Sequence, residues 1–139
     1  MKIDITHIEQ YLSDVKSSVK IDRYRIDRND RRQDNLNLFL DYVIPEAKAK
    51  EIILSLTATD FSAILQNEHV GYEYEKLYVF GKNVILLERY GTEKKEVPLY
   101  IKINKLENDY VIVISFHEQK HPLKYYFKWL CKYERWSLW

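Results

Sequence analysis

Apolar side chains at Ile8, Leu12, Val15 and Val19 recur three or four residues apart, and this spacing predicts an amphipathic helix over 5–18. Thr6 followed by Glu9 has the spacing of a capping box for its start. The stretch 20–28 is dense in charge yet carries Ile21, Tyr24 and Ile26, the pattern of a short strand with one exposed face. Leu36, Phe39, Leu40 and Val43 share one side of a helix predicted over 29–42. Pro45 then opens another over 45–56, because its fixed φ suits the first helical turn. There Ala47, Ile52, Ile53 and Leu56 point inward, and Lys48, Lys50 and Glu51 outward.

Between Thr57 and Gly71 no period is clean, which predicts a loop with one helical turn. Beyond Tyr72 the residues become rich in Val, Ile, Leu and Tyr, giving strands over 74–80, 83–90, 97–103 and 110–116. The connections Gly81-Lys82, 91–96 and 104–109 suit antiparallel hairpins. Helices first and a meander second predict an α+β domain. At 139 residues the chain can build one core, so 1–139 is expected to be a single domain.

Composition changes this picture in two places. Lys and Arg number 22 against 21 Asp and Glu, so overall charge gives no reason to expect a uniformly basic surface. Twelve Tyr, five Phe and three Trp favour a sheet whose faces carry rings. The single Cys131 forms no internal disulfide and suggests a reducing, cytoplasmic setting. Residues 1–20 interleave charges and carry no signal-like apolar stretch, and the run 111–114 is far shorter than the ~20 residues a membrane helix needs. No membrane partner is expected.

Several chemistries lack their residues. Three isolated glycines provide no phosphate-cradling loop, and neither HExxH nor CxxC occurs. The four histidines are scattered, so neither a metal nor another cofactor is expected. What remains is polar density on the last strands. Alternation places Tyr100 and Lys102 opposite Ile101 and Ile103, and puts Val111, Val113, Ser115 and His117 on one face. With Ile103 opposite Tyr110, Tyr100 falls on the side of Ser115 and His117. A phenol, an ammonium and an imidazole on one face, running towards Glu118, Lys120 and His121, can relay a proton and stabilise a phosphate, as a metal-free ribonuclease requires. The same alternation also occurs on any half-exposed strand.

Charge is uneven along the chain. Residues 20–32 carry six basic against three acidic side chains, and 117–139 carry five against two, the latter interleaved with Tyr, Phe and Trp. Rings that stack on bases beside cations that meet phosphates suit single-stranded RNA. An aromatic-basic tail equally suits a protein interface.

The runs Leu54-Ser55-Leu56-Thr57-Ala58-Thr59-Asp60-Phe61, Tyr78-Val79-Phe80-Gly81-Lys82, Tyr100-Ile101-Lys102-Ile103, Val111-Ile112-Val113-Ile114-Ser115-Phe116-His117-Glu118 and His121-Pro122-Leu123-Lys124-Tyr125 resemble the MqsR-like toxins of bacterial toxin–antitoxin systems. The resemblance covers 44–127 and leaves out the tail 128–139. It implies a RelE-like α+β fold, N-terminal helices on a mainly antiparallel sheet. It also implies metal-independent endoribonuclease activity on mRNA, that of an mRNA interferase, with association with the ribosome left open. The implied partner is a cognate antitoxin, a helix-turn-helix DNA-binding protein. Position by position, the family's strand tyrosine falls on Tyr100, its lysine after Ser-Phe on His117, and a glutamine near Glu75. A further family lysine is replaced by Ala63.

Taken together, the reading is a toxin of a type II system that cleaves mRNA. Tyr100 and His117 are the proton-transfer candidates, with Lys102 and Glu75 in the catalytic set. Lys82, Lys120, His121 and Lys124 are expected to contact RNA. The alternatives are a non-catalytic interaction module or inhibitor using the sheet and tail, and an RNA-binding protein that does not cleave.

Overall fold

The computed structural model describes residues 2–127, so the aromatic-basic tail 128–139 lies outside the described residues. Among the described residues three helices and six strands follow one another in the order α1 (Ile5–Lys20), β1 (Tyr24–Ile26), α2 (Gln33–Asp41), β2 (Tyr42–Val43), α3 (Glu46–Leu54), a 3-10 turn (Ala58–Asp60), β3 (Phe61–Gln66), β4 (Lys76–Glu88), β5 (Lys94–Lys105) and β6 (Val111–Glu118). The helices fall in the N-terminal half and the curled, mostly antiparallel sheet is formed mainly by the C-terminal half, an α+β arrangement.

Helix α1 follows the expected stripe, burying Ile8, Tyr11, Leu12, Val15 and Val19. Its cap is Asp4, not Thr6: the Asp4 carboxylate accepts from the Thr6 amide at 3.1 Å, satisfying a donor the first turn leaves unpaired. Helix α2 starts four residues later than 29, because 29–32 closes a turn in which the Arg32 amide donates to the Asn29 carbonyl. Pro45 stands just before α3, where its carbonyl accepts from Lys48 and Ala49.

The sheet order is β1-β6-β5-β4-β2, with β3 on the same outer edge of β4. Only β1 is parallel to its neighbour, Tyr24 facing Val111. Two expectations fail here. The segment 57–71 contains the 3-10 turn but also strand β3, whose period is broken where Phe61 faces Phe80 and Ala63 faces Val79, leaving Ser62 as an extra residue. Gly81-Lys82 is no hairpin: β4 runs unbroken through it for 13 residues.

Gly81 has a different reason. A Cβ there would lie 2.5 Å from the Tyr125 hydroxyl, 2.6 Å from Leu123 Cδ1 and 2.9 Å from Gln119 Nε2. Its missing side chain lets the segment 119–127 lie against the sheet. That segment is pinned by the Gln119 amide to the Pro98 carbonyl (2.7 Å), by Ser62 Oγ to the Lys124 carbonyl (2.6 Å) and by the Tyr126 amide to the Phe61 carbonyl (3.0 Å).

Cross-strand partners share a face, so the register sorts the sheet into two sides. On one, Tyr78, Ile103 and Val113 form a row, then Phe80, Ile101 and Phe116, then Val84 with Val97. These pack with the buried residues of α1 and α3 into the core. On the other side lie Val79, Lys102 and Ser115, then Gly81, Tyr100 and His117.

Candidate functional site

The polar face depends on a bulge in β6. Ile103 faces Val113, not Tyr110, while Lys102 faces Ser115, so Ile114 is an extra residue that switches the side on which alternate residues point. Val111 and Val113 therefore enter the core, and Ser115 and His117 leave it. The single face expected for all four is corrected, but the grouping of Tyr100 and Lys102 with Ser115 and His117 stands.

A buried amide holds the bulge. Strand β1 pairs only as far as Val113, so the outer edge of β6 beyond it needs another partner. Asn35 of α2 supplies it, accepting from the Phe116 amide at 2.8 Å and donating to the carbonyls of Ile114 (2.9 Å) and Asp27 (2.8 Å). Its side chain stands in for the peptide of a missing strand residue.

At the centre the rings of Tyr100 and His117 stack, 5.2 Å between centroids and 11° from parallel. His117 Nδ1 lies 2.9 Å from the Glu118 carbonyl. Partial burial raises the Tyr100 pKa, so its phenol keeps its proton beyond the ordinary tyrosine range. Lys102, two residues along β5 and thus about 6.6 Å away, is shifted the other way. Burial lowers its pKa first, the Arg32 charge lowers it further, and Glu68 opposes both. Beside His117, Lys120 Nζ meets Asp34 at 2.7 Å, and that hydrogen bond holds the Asp34 carboxyl below its usual range against the effect of burial.

The other expected residues fall in different places. Lys82 projects into the opposite, helical side, bonded to the Asp60 carboxylate (3.2 Å) and the Ser55 carbonyl (3.3 Å). Asp60 in turn closes a capping box with Thr57, so Lys82 fastens the 3-10 turn to the sheet. Glu75 accepts from Asn67 (3.0 Å) and Asn104 (3.1 Å), and Asn104 is four residues from Tyr100, about 13 Å along the strand. His121 and Lys124 are exposed on the segment that crosses Gly81. Ala63 pairs with Val79 and so shares the face of Lys102.

Three of the six basic side chains of the stretch 20–32 are engaged within the fold. Arg25 pairs with Asp27, Arg28 with Glu46 while lying 3.9 Å over the Phe39 ring, and Arg23 donates to the Asn108 carbonyl. Arg32 is different, lining a cavity together with Lys102. In the sequence Arg32 stands out only as one of a basic run, and no local pattern marks Asn35 or Gln119. The one available signal was Gly81, a glycine inside a β pattern, which marks a close approach.

Among the described residues no three His, Cys, Asp or Glu side chains converge as a metal site, and no helix is long and apolar enough to cross a membrane. No family model matches the chain, and neither does any curated protein or solved structure. The resemblance to MqsR-like toxins rests on the short motifs alone.

Proposed function

We propose that this protein is a metal-independent endoribonuclease, a cytoplasmic mRNA-cleaving toxin of a type II toxin–antitoxin system with a RelE-like sheet. The observation that carries this reading is the stacked Tyr100–His117 pair on a sheet face shared with Lys102. In the proposed reaction His117 accepts the proton of a ribose 2′-OH as its oxygen forms a bond to the adjacent phosphorus. The bond from phosphorus to the 5′-oxygen breaks, and Tyr100, which burial keeps protonated, donates to the leaving oxygen. The products are a 2′,3′-cyclic phosphate and a 5′-hydroxyl. Lys102, two residues from Tyr100 on the same face, supplies positive charge to the phosphate backbone beside the cut. Lys120 is engaged by Asp34, so its part is to frame His117.

The test is cleavage of end-labelled RNA in buffer containing a chelator, with growth after induction measured alongside. Tyr100→Phe and His117→Ala are each expected to lower the cleavage rate about 10²-fold or more and relieve growth arrest, with the melting temperature little changed. Undiminished cleavage by both variants would remove the assignment. Salt-dependent binding with RNA recovered intact would favour a binder instead.

A further inference from the structure

Next to the stacked pair, the polar face continues into a cavity of about 570 Å³, within the ~300–1,000 Å³ range of small-ligand sites. Its lining combines two cations, Arg32 and Lys102, with the apolar side chains of Leu65, Leu77 and Ile114. Ile114 is the extra residue of the β6 bulge, so the feature that exposes His117 also builds this wall. Among the described residues neither cation has a carboxylate within 4.0 Å, whereas Arg25, Arg28, Lys82 and Lys120 each have one. Burial disfavours the charge of Lys102 first, and the like charge of Arg32 across the hollow adds to that cost, with Glu68 opposing both. An anion between them would relieve it.

We propose that this cavity is a nucleotide subsite, in which Arg32 and Lys102 hold a phosphate of single-stranded RNA while its base lies against Leu65, Leu77 and Ile114. The proposal extends the reading of Tyr100 and His117 as an RNA-cleaving pair and places the nucleotide flanking the cut. Lys102 lies between pair and cavity, which puts the held phosphate one step along the chain from the reacting one. Glu68 on the rim would repel a phosphate but can accept from the amino group of a base, giving the site a sense of direction.

A 2′-O-methylated adenosine trinucleotide tests this, because it carries phosphates and bases but has no free 2′-OH between them. Titrated into the full protein, it is expected to shift the methyl resonances of Leu65, Leu77 and Ile114. Arg32→Gln should weaken its binding about tenfold or more, and Arg32→Lys should restore part of the loss. Leu65→Glu, at a site already 42% exposed and therefore tolerant of substitution, should also weaken it. Equal binding by wild type and Arg32→Gln, or shifts confined to other residues, would overturn the subsite. Inorganic phosphate that reproduces the methyl shifts in full would overturn the base contact. Binding of this probe together with failure to cleave unmodified RNA would sink the nuclease and leave the subsite. Cleavage with an unchanged KM in Arg32→Gln would do the reverse.

Discussion

The two faces of the sheet are built from the same strands yet differ at their centres. Beneath α1 and α3, Phe80, Leu99, Ile101, Ile103, Val113 and Phe116 are buried, most of them completely. On the reverse side, Tyr100, Lys102 and His117 stay partly exposed, and a crossing segment takes the place of helices. The first face derives its stability from apolar area removed from water. The second keeps polar groups at positions fixed by the first, and among the described residues two of its charges, Arg32 and Lys102, have no carboxylate within 4.0 Å. A rigid apolar floor under a partly hydrated polar surface is a suitable platform for a ligand.

The largest expected contrast is in stability. Phe80→Ala, which empties a fully buried ring site, should cost about 3–5 kcal/mol in chemical denaturation, against under ~0.5 kcal/mol for Lys102→Ala. Comparable losses from the two would mean that the faces are not energetically distinct.

Next comes the amide that joins them. Asn35→Leu should cost about 3 kcal/mol, since it strands the Phe116 amide and the Ile114 carbonyl. It should also disturb the amide resonances of Ser115 and His117 more than those of Leu99. Unchanged β6 resonances would show that the bulge holds itself.

Gly81→Ala should be milder, about 1 kcal/mol, because the atoms it meets are the ends of the Tyr125, Leu123 and Gln119 side chains, which can give. Faster amide exchange over 119–126 is the readout, and unaltered exchange would argue that the segment has room to spare.

The smallest effect is on alkaline stability. Burial raises the pKa of Tyr11 and Tyr78 on the core side and of Tyr100 on the polar side. A group whose folded pKa lies above its unfolded value contributes stability that is complete below the unfolded value, near 10, and is lost as pH rises through the folded one. Melting temperature should therefore fall progressively above pH 10. Tyr11→Phe should blunt that fall more than Tyr100→Phe, because burial acts more strongly on Tyr11.

Much of the fold was legible in the spacing of apolar residues. Helix α1 and strand β5 follow regular periods over eight or more residues, long enough for the pattern to exceed chance, while α3 buries the expected Ile52 and Ile53 but Ala49 in place of Ala47. β3 was hidden because its extra Ser62 breaks the period, and β4 was divided because glycine in a β pattern signals a turn as readily as a close approach. Of the site, alternation pairs Tyr100 with Lys102 and Ser115 with His117, and joining the two pairs needs a register. Their grouping came from an assumed register that differs from the real one by three residues and omits the bulge, two errors that offset each other in facing.

The sequence by itself determined which residues would be apolar enough to form a core, and that Tyr100 and Lys102 leave β5 on the same side. Local periodicity suffices for these because each depends on neighbours within a turn or a pleat. Only the tertiary structure decided that Lys82 belongs to the helical side, that Asn35 replaces a strand at the β6 edge, and that Arg32 meets Lys102 across a cavity. Those partners lie 22 to 81 residues apart in the chain. Contacts at such separation are fixed by the competition of all elements for one core, which no local pattern records.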